Sequence, residues 1–273
     1  MRFLLCNSPQ ATHDDKVTDI YLTHIGKERR LYRFCQEFRS VRPYLYLLVF
    51  IPVTGLFALS ASVCTLFDSS GSCYAFHARL WARFGLALNN TPVELRGAEH
   101  LPDGPFILMS NHQSNFDILA LIATIPRRIY WIAKKELFDI PIFGSSMRRG
   151  GYIPLDRSAG RKALKSMENA AAVIRQGSSV VMFPEGTRSR DDQLLPFKRG
   201  GFMLAVRAGV PVIPVTINGS GRVNPGGRIE LYSGRITLTL HTLVTVPEGM
   251  NKGEAEEWLM EKVRSVITSG LEN

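Results

Sequence analysis

From Tyr44 to Phe67 the chain runs for twenty-four residues without a charged side chain, with Arg42 before the stretch and Asp68 after it. As a helix that length rises about 36 Å, more than the roughly 30 Å of a bilayer's hydrocarbon core. Soluble helices seldom stay apolar all round over so many turns, so the stretch points to membrane contact rather than to a core helix. A signal peptide is a poor fit, because the stretch begins far from Met1, exceeds an h-region in length and lacks a small-residue cleavage site. A basic run precedes it, with Lys27, Arg29, Arg30, Arg33, Arg39 and Arg42 against Glu28 and Glu37. That bias places the N-terminal flank on the cytoplasmic side.

One simple crossing would then export everything downstream. Pro52 and Gly55 interrupt the stretch, and Phe76, Leu80, Trp81, Phe84 and Leu88 follow at helical spacing with Arg79 and Arg83 beside them, the pattern of an interfacial helix. Each arginine would cost about 2.5 to 3.5 kcal/mol at a bilayer centre. The two segments are therefore expected as a re-entrant anchor in one leaflet, with both arginines reaching to the headgroups and a spanning hairpin as the alternative. Either leaves the remainder cytoplasmic. The expected organisation is a basic extension over 1–42, a membrane-associating helical pair over 43–92 and a main domain over 93–273.

The composition permits a buried core, with 45% of 273 residues apolar and 21% charged, and excludes disorder or a disulfide-stapled miniprotein. Lys and Arg number 33 against 24 Asp and Glu, a formal charge of +9. That balance suits nucleic acid, a phosphorylated substrate or acidic lipid. The cations are dispersed and no aromatic-basic RNA-binding module is present, so no nucleic-acid partner is expected. Cys6, Cys35, Cys64 and Cys73 have neither the close spacing nor the His partners of a zinc site. No metal is expected, and the thiols are expected reduced and facing a cytosol.

From Val93 onward strands alternate with helices, the pattern of an α/β layered domain. Strands are expected at Val93 to Arg96, Phe106 to Met109, Ile129 to Ala133, Ser179 to Phe183 and Pro211 to Ile217, with a long alternating segment from Arg235 to Val246. Ser158 is placed to cap a helix with Leu164, Met167, Ala171 and Ile174 on one face and Gly177 past its end. Further helices are expected at Phe202 to Ala208 and around Trp258, Leu259, Val263 and Ile267.

Chemistry-bearing residues concentrate where strands end. Asn111-His112-Gln113-Ser114-Asn115-Phe116-Asp117 follows the second strand. On a regular helix His112 and Asp117 would lie about 140° apart, so the pair needs a turn first, with Ser114 or Asn115 capping the helix that carries Asp117. Asp117 then accepts from one ring nitrogen while the other takes a proton from a substrate hydroxyl. A His-x4-Asp pattern alone arises often by chance. Phe183-Pro184-Glu185-Gly186-Thr187-Arg188-Ser189-Arg190 follows another strand, its Arg188 fork suited to a phosphate dianion, though a plain turn with solvated arginines has the same composition. Gly151-Tyr152-Ile153-Pro154-Leu155-Asp156-Arg157 sets Arg157 just before a helix entrance, where anions are favoured; pairing with Asp156 is the simpler account. Lys134 and Lys135 close a strand at what is read as the same edge.

In this order the blocks at 111–117, 151–157, 180–190 and 210–217 resemble the glycerolipid acyltransferase family, specifically 1-acyl-sn-glycerol-3-phosphate acyltransferases. The resemblance covers roughly Val93 to Ile217, and departs from the family's commoner pattern at Pro154 and Leu155. It implies a glycerolipid-acyltransferase-type α/β domain with a central mixed sheet. It also implies that His112 is the general base and Asp117 its partner, that Arg157 and the Glu185-Gly186-Thr187-Arg188 loop bind the acceptor phosphate, and that Pro211 and Pro214 shape the acyl site. The implied reaction moves an acyl group from acyl-CoA or acyl carrier protein to the sn-2 hydroxyl of lysophosphatidic acid on an anionic membrane surface, without a cofactor. No Gly-x-Ser-x-Gly elbow is present, so direct transfer is expected. A sister enzyme for another lysolipid, such as a lyso-aminolipid or lysophosphatidylethanolamine, and a non-enzymatic membrane-binding scaffold remain the alternatives.

Overall fold

The structure is a computed structural model that describes residues 41–68, 70–155, 161–190 and 193–272. Helix α1 (Val41–Cys64) turns into α2 (Ser72–Leu88). After these come β1 (Val93–Arg96), β2 (Ile107–Ser110), α3 (Phe116–Thr124), β3 (Tyr130–Lys134), α4 (Phe143–Arg149), β4 (Ile153–Leu155), α5 (Arg161–Arg175) and β5 (Val180–Met182). The chain closes with α6 (Arg199–Ala208), β6 (Val212–Asn218), the single turn α7 (Ser220–Val223), β7 (Ile236–Leu240) and α8 (Lys252–Ser269).

The seven strands form one sheet in the order β1-β7-β6-β2-β5-β3-β4. Every neighbouring pair is parallel except β6 and β7, which run antiparallel with Val215 opposite Leu240, so the expected mixed sheet is present. Strand β2 lies in the middle, with Ile107 opposite both Val180 and Val212. All four of its residues are buried, as a strand covered on both faces requires. Alternation sorts its neighbours: Leu108, Val181 and Ile213 face α1, α2 and α3, while Ile107, Val180 and Val212 face α5, α6 and α8. Asn251 starts α8 with a capping box, its side chain accepting from the Gly253 and Glu254 amides while Glu254 reaches back to the Asn251 N–H. The segment from Arg235 to Val246 is shorter as a strand than its alternation predicts, because after Leu240 only a bridge between Val212 and Val244 continues the pairing.

Past Arg42, helix α1 carries no charge because it is apolar on two opposite faces. Tyr46, Phe50, Thr54, Ala58 and Ala61 turn inward, where Phe50 stacks on Trp81 and Tyr46 packs on Phe116. Leu48, Leu56, Leu59, Val63 and Leu66 form the opposite stripe, 72% exposed at Leu48 and 66% at Leu56. Gly85 permits the contact, because a Cβ there would sit 2.6 Å from the Phe50 ring. Helix α2 shares its core with α3 through Ala82 and Leu86.

Two expectations are overturned. Arg79 does not reach outward to headgroups: its guanidinium donates to the carbonyls of Ile125 (3.0 Å) and Arg127 (3.3 Å) in the segment that follows α3. Arg128 in turn binds the Ser70 carbonyl in the α1–α2 turn. The thiols are not all reduced, and the spacing conceals a partner. The turn folds α2 back so that Cys64 and Cys73 form a disulfide with Cα atoms 6.2 Å apart, and one helical turn later His77 stands within 4.8 Å of both sulfurs. Cys6 and Cys35 lie outside the described residues.

Candidate active site

In an open α/β sheet, loops that leave the C-terminal ends of neighbouring parallel strands gather at one edge, and ligands bind there. Strands β2 and β5 are such neighbours. The chain leaves β2 at Asn111, whose buried amide side chain makes two bonds to one residue of β6: Nδ2 donates to Ile217 O (2.8 Å) and Oδ1 accepts from Ile217 N (2.8 Å). A short turn then delivers Asp117 into the first turn of α3, with Ser114 Oγ accepting from Phe116 N at 3.1 Å.

This turn brings His112 and Asp117 together. His112 Nδ1 lies 2.8 Å from Asp117 Oδ2, and that same oxygen accepts the backbone amides of Gln113 (2.8 Å) and Ser114 (2.9 Å). Asp117 is fully buried. With two amides already anchoring it, the carboxylate is a fixed post that orients the ring. A neutral imidazole bonded this way keeps its proton on Nδ1 and presents the Nε2 lone pair. No protein group bonds Nε2 among the described residues. The ring lies flat on Phe183, centroids 3.8 Å apart and planes 8° apart, and Phe183 leans on Trp131.

The loop after β5 holds His112 from behind. Glu185, 2% exposed, accepts the His112 backbone N–H at 2.7 Å on Oε1 and the Leu195 N–H at 2.9 Å on Oε2. Ser189 N donates to His112 O at 2.8 Å. Burial pushes the Glu185 carboxyl above the usual glutamate range, against the pull of the two amides. Its acceptor capacity is committed to the backbone, which distinguishes it from the anion-binding role that the resemblance implies.

Gly186 adopts φ +70°, and the side chain of Lys198 folds over its open face, with Nζ 2.9 Å from where a Cβ would stand. Thr187 is exposed and Arg188 half-buried. Neither the Arg188 guanidinium nor the Lys198 ammonium has a carboxylate partner among the described residues, an arrangement that favours an incoming dianion. Sequence patterns point neither to Lys198 nor to the part that Asn111 plays. Lys134 ends β3 at the same sheet edge, 3.8 Å from Glu136, both exposed. Arg157 lies outside the described residues. Pro211 precedes β6 at the far end of the sheet, its carbonyl bonded to Ile107 N, and Pro214 is buried in mid-strand opposite Met109. Neither lines the two apolar cavities that flank α1, so the structure does not bring them to the site.

Of those cavities one, of about 150 Å³, lies between α1, α2 and β3 and is walled by Trp81, Ile122, Trp131, Met147 and Tyr152. The other, of about 360 Å³, lies between α1, the start of α3 and the segment 224–231.

The acyltransferase family model matches residues 92–218. Over that region, a little under half of the chain, the protein is similar to the acyltransferase family. In structure it is similar to the 1-acyl-sn-glycerophosphate (LPA) acyltransferase PlsC of Thermotoga maritima, with a TM-score of 0.72 and 28% identity over 85% of this chain and 95% of that one. In sequence it is 38% identical to the chloroplastic 1-acyl-sn-glycerol-3-phosphate acyltransferase BAT2 of Brassica napus, over 61% of this chain and 48% of the relative. It is 33% identical to the 1-acyl-sn-glycerol-3-phosphate acyltransferase of Pseudomonas aeruginosa, over 61% of this chain and 66% of the relative. The matches span about half the length of the first of these relatives. The matched region contains His112, Asp117 and the loop from Glu185 to Arg188, and excludes α1 and α2.

Proposed function

We propose that this protein moves an acyl group from an acyl thioester, acyl-CoA or acyl carrier protein, to the sn-2 hydroxyl of 1-acyl-sn-glycerol-3-phosphate, giving phosphatidic acid. The observation that carries the reading is a buried Asp117 fixing a histidine whose Nε2 meets no protein partner among the described residues, with two cations in the adjoining loop that have no carboxylate partner among those residues. An unaided hydroxyl attacks a thioester poorly. Nε2 of His112 takes the hydroxyl proton as the oxygen bonds the thioester carbonyl carbon, and Asp117 stabilises the imidazolium. Collapse breaks the C–S bond, and the proton passes from His112 to the departing thiolate. No covalent acyl-enzyme is involved. Arg188 and Lys198 hold the acceptor phosphate, which fixes the hydroxyl against Nε2.

The wall residue Trp131 of the smaller cavity packs on Phe183, centroids 5.8 Å apart, and Phe183 carries the His112 ring, so that cavity suits the donor's hydrocarbon chain. The outer stripe of α1 suits insertion into one leaflet, where the lysolipid resides, with the sheet edge facing the cytoplasmic supply of thioester. The disulfide removes reduced thiols as an argument for that sidedness, which therefore rests on the donor.

The test is thiol release from acyl-CoA by the purified protein in anionic vesicles. Lysophosphatidate should serve as acceptor and lysophosphatidylethanolamine or a neutral lysolipid should serve poorly. Equal rates with all three would overturn the phosphate assignment, and no release with any of them would favour a non-catalytic membrane protein.

A further inference from the structure

The segment from Asn224 to Leu231 is remote in sequence from both motif blocks, yet it touches each of them. Gly226 is buried against them: a Cβ there would overlap the Ser189 carbonyl oxygen and would lie 3.2 Å from both Arg188 Cβ and Gln113 O. Asn115 Nδ2 donates to Asn224 Oδ1 at 3.4 Å. A few residues on, the same segment supplies Ile229 and Leu231 to the 360 Å³ cavity, whose opposite walls are Leu47 and Phe50 of α1 with Phe116 and Leu119 of α3. Asn115, Asn224, Arg228 and Glu230 provide its polar groups. One stretch of chain thus runs from the Arg188 loop to an apolar chamber that opens beside the histidine turn and borders the lipid-facing helix.

The geometry points to this chamber as the seat of the acceptor's own acyl chain, separate from the cavity on the Trp131 side. The inference rests on the acyl transfer proposed above. A lysophosphatidate has a dianionic head and one hydrocarbon tail, and the segment joins an anion-ready arginine to an apolar volume in that sequence. The two cavities border the site by different walls, one at Trp131, whose ring packs on Phe183, the other at Asn115 and Phe116 beside the histidine turn. Two chains brought to one histidine need two such walls. Because Leu47 belongs to α1, the tail can pass from the leaflet into the chamber without crossing water.

Each methylene held in the chamber should lower the acceptor KM about three- to fourfold until the chamber is full. Filling it tests the idea. Leu47→Trp or Ile229→Trp, both at half-exposed or exposed positions, should raise KM at least threefold for a 1-hexadecanoyl acceptor. KM for a 1-octanoyl acceptor and the donor chain-length profile should stay unchanged. Leu137→Trp, in the wall of the other cavity, should do the converse. A Leu47→Trp protein with an altered donor profile, or with both acceptor KM values unchanged, would overturn the assignment. Binding of a fluorescent long-chain lysophosphatidate without any donor, competed by acceptors of graded length, gives the same comparison independently of turnover. Length-graded competition without acyl transfer would sink the activity and keep the chamber, whereas transfer with length-blind competition would do the reverse.

Discussion

Glu185 grips His112 by the backbone and not by the ring, through a 2.7 Å bond from the His112 N–H to Oε1. Oε2 takes the Leu195 N–H, so both oxygens must be acceptors. Glu185→Gln offers one acceptor and one donor, and sets an N–H against an N–H at one of the two ends. The expected result is a loss on the order of 10- to 100-fold in kcat with little change in either KM, since a displaced base slows chemistry without removing a binding contact. The carboxyl also leaves a signature in stability. Burial raises its pKa above 4.5 in the folded chain, so the folded state holds that proton more tightly than the unfolded state. Its stabilising contribution is present below the unfolded value and is lost as pH rises through the raised folded value. The Tm of wild type minus that of Glu185→Gln should therefore fall as pH climbs from 4.5. A difference that stays flat with pH would contradict the burial argument.

Replacing His112 by Ala should cost at least a hundredfold in kcat. Asp117→Asn should behave differently. Oδ1 of Asp117 has no partner among the described residues, so the amide nitrogen can take that place while the remaining oxygen keeps its three donors. The turn survives, at about 1 to 3 kcal/mol for a buried amide without an acceptor. Catalysis then drops through the lost charge, and single-turnover assays with circular dichroism should show a folded, slow enzyme. An Asp117→Asn protein as fast as wild type would remove the imidazolium from the mechanism.

Gly186 and Lys198 should fail together. Alanine at 186 is strained at φ +70° by roughly 1 to 2 kcal/mol and pushes against the lysine side chain. Gly186→Ala and Lys198→Gln should both raise KM for lysophosphatidate several-fold, with the donor KM unchanged. Arg188→Lys should do the same by losing the planar fork. A double-mutant cycle on Gly186→Ala and Lys198→Gln should be strongly sub-additive. Additive effects would mean that the glycine serves only its own turn.

Exposed leucines on α1 offer a check that does not touch the chemistry. Leu48→Glu with Leu56→Glu should weaken sedimentation with anionic vesicles at least tenfold if the exposed stripe of α1 is the membrane contact proposed above, because each replaces an exposed apolar side chain by a charge. Turnover of a short-chain acceptor below its micelle concentration should hold. Undiminished vesicle binding would move the membrane contact elsewhere.

Periodicity locates β2, β5 and β6 to within a residue or two, because they are largely buried and read as short continuous apolar runs, whereas β7 ends six residues short of its alternating segment and the three-residue β4 is not read as a strand at all. The His112–Asp117 pair is legible for a similar reason: its spacing makes sense only with a turn at the mouth of a strand. Glu185 reads as part of an anion loop, since sequence shows a carboxylate's neighbours along the chain and not the amides of His112 and Leu195 that it meets in space. Lys198 follows no pattern and acts through the open face of Gly186. Arg79 looks like a headgroup ligand because its helix is amphipathic by spacing, yet the Ile125 and Arg127 carbonyls after α3 are nearer partners than any lipid. His77 and the two cysteines it faces are brought together by a turn that no Cys spacing encodes. The segment from Asn224 to Leu231 is silent in the sequence, its glycines resembling those of any loop.

Asn111 supplies the last rung of the central ladder with a side chain, its amide reading both the donor and the acceptor of Ile217. The main chain is thereby released from the sheet while the sheet, seen from β6, carries on. The turn from His112 to Asn115 hangs from that side chain at one end and from the buried carboxylate of Asp117 at the other. So long as the His112 amide and carbonyl keep Glu185 and Ser189, and the next two amides keep Asp117, side chains on that turn can change without any strand changing register.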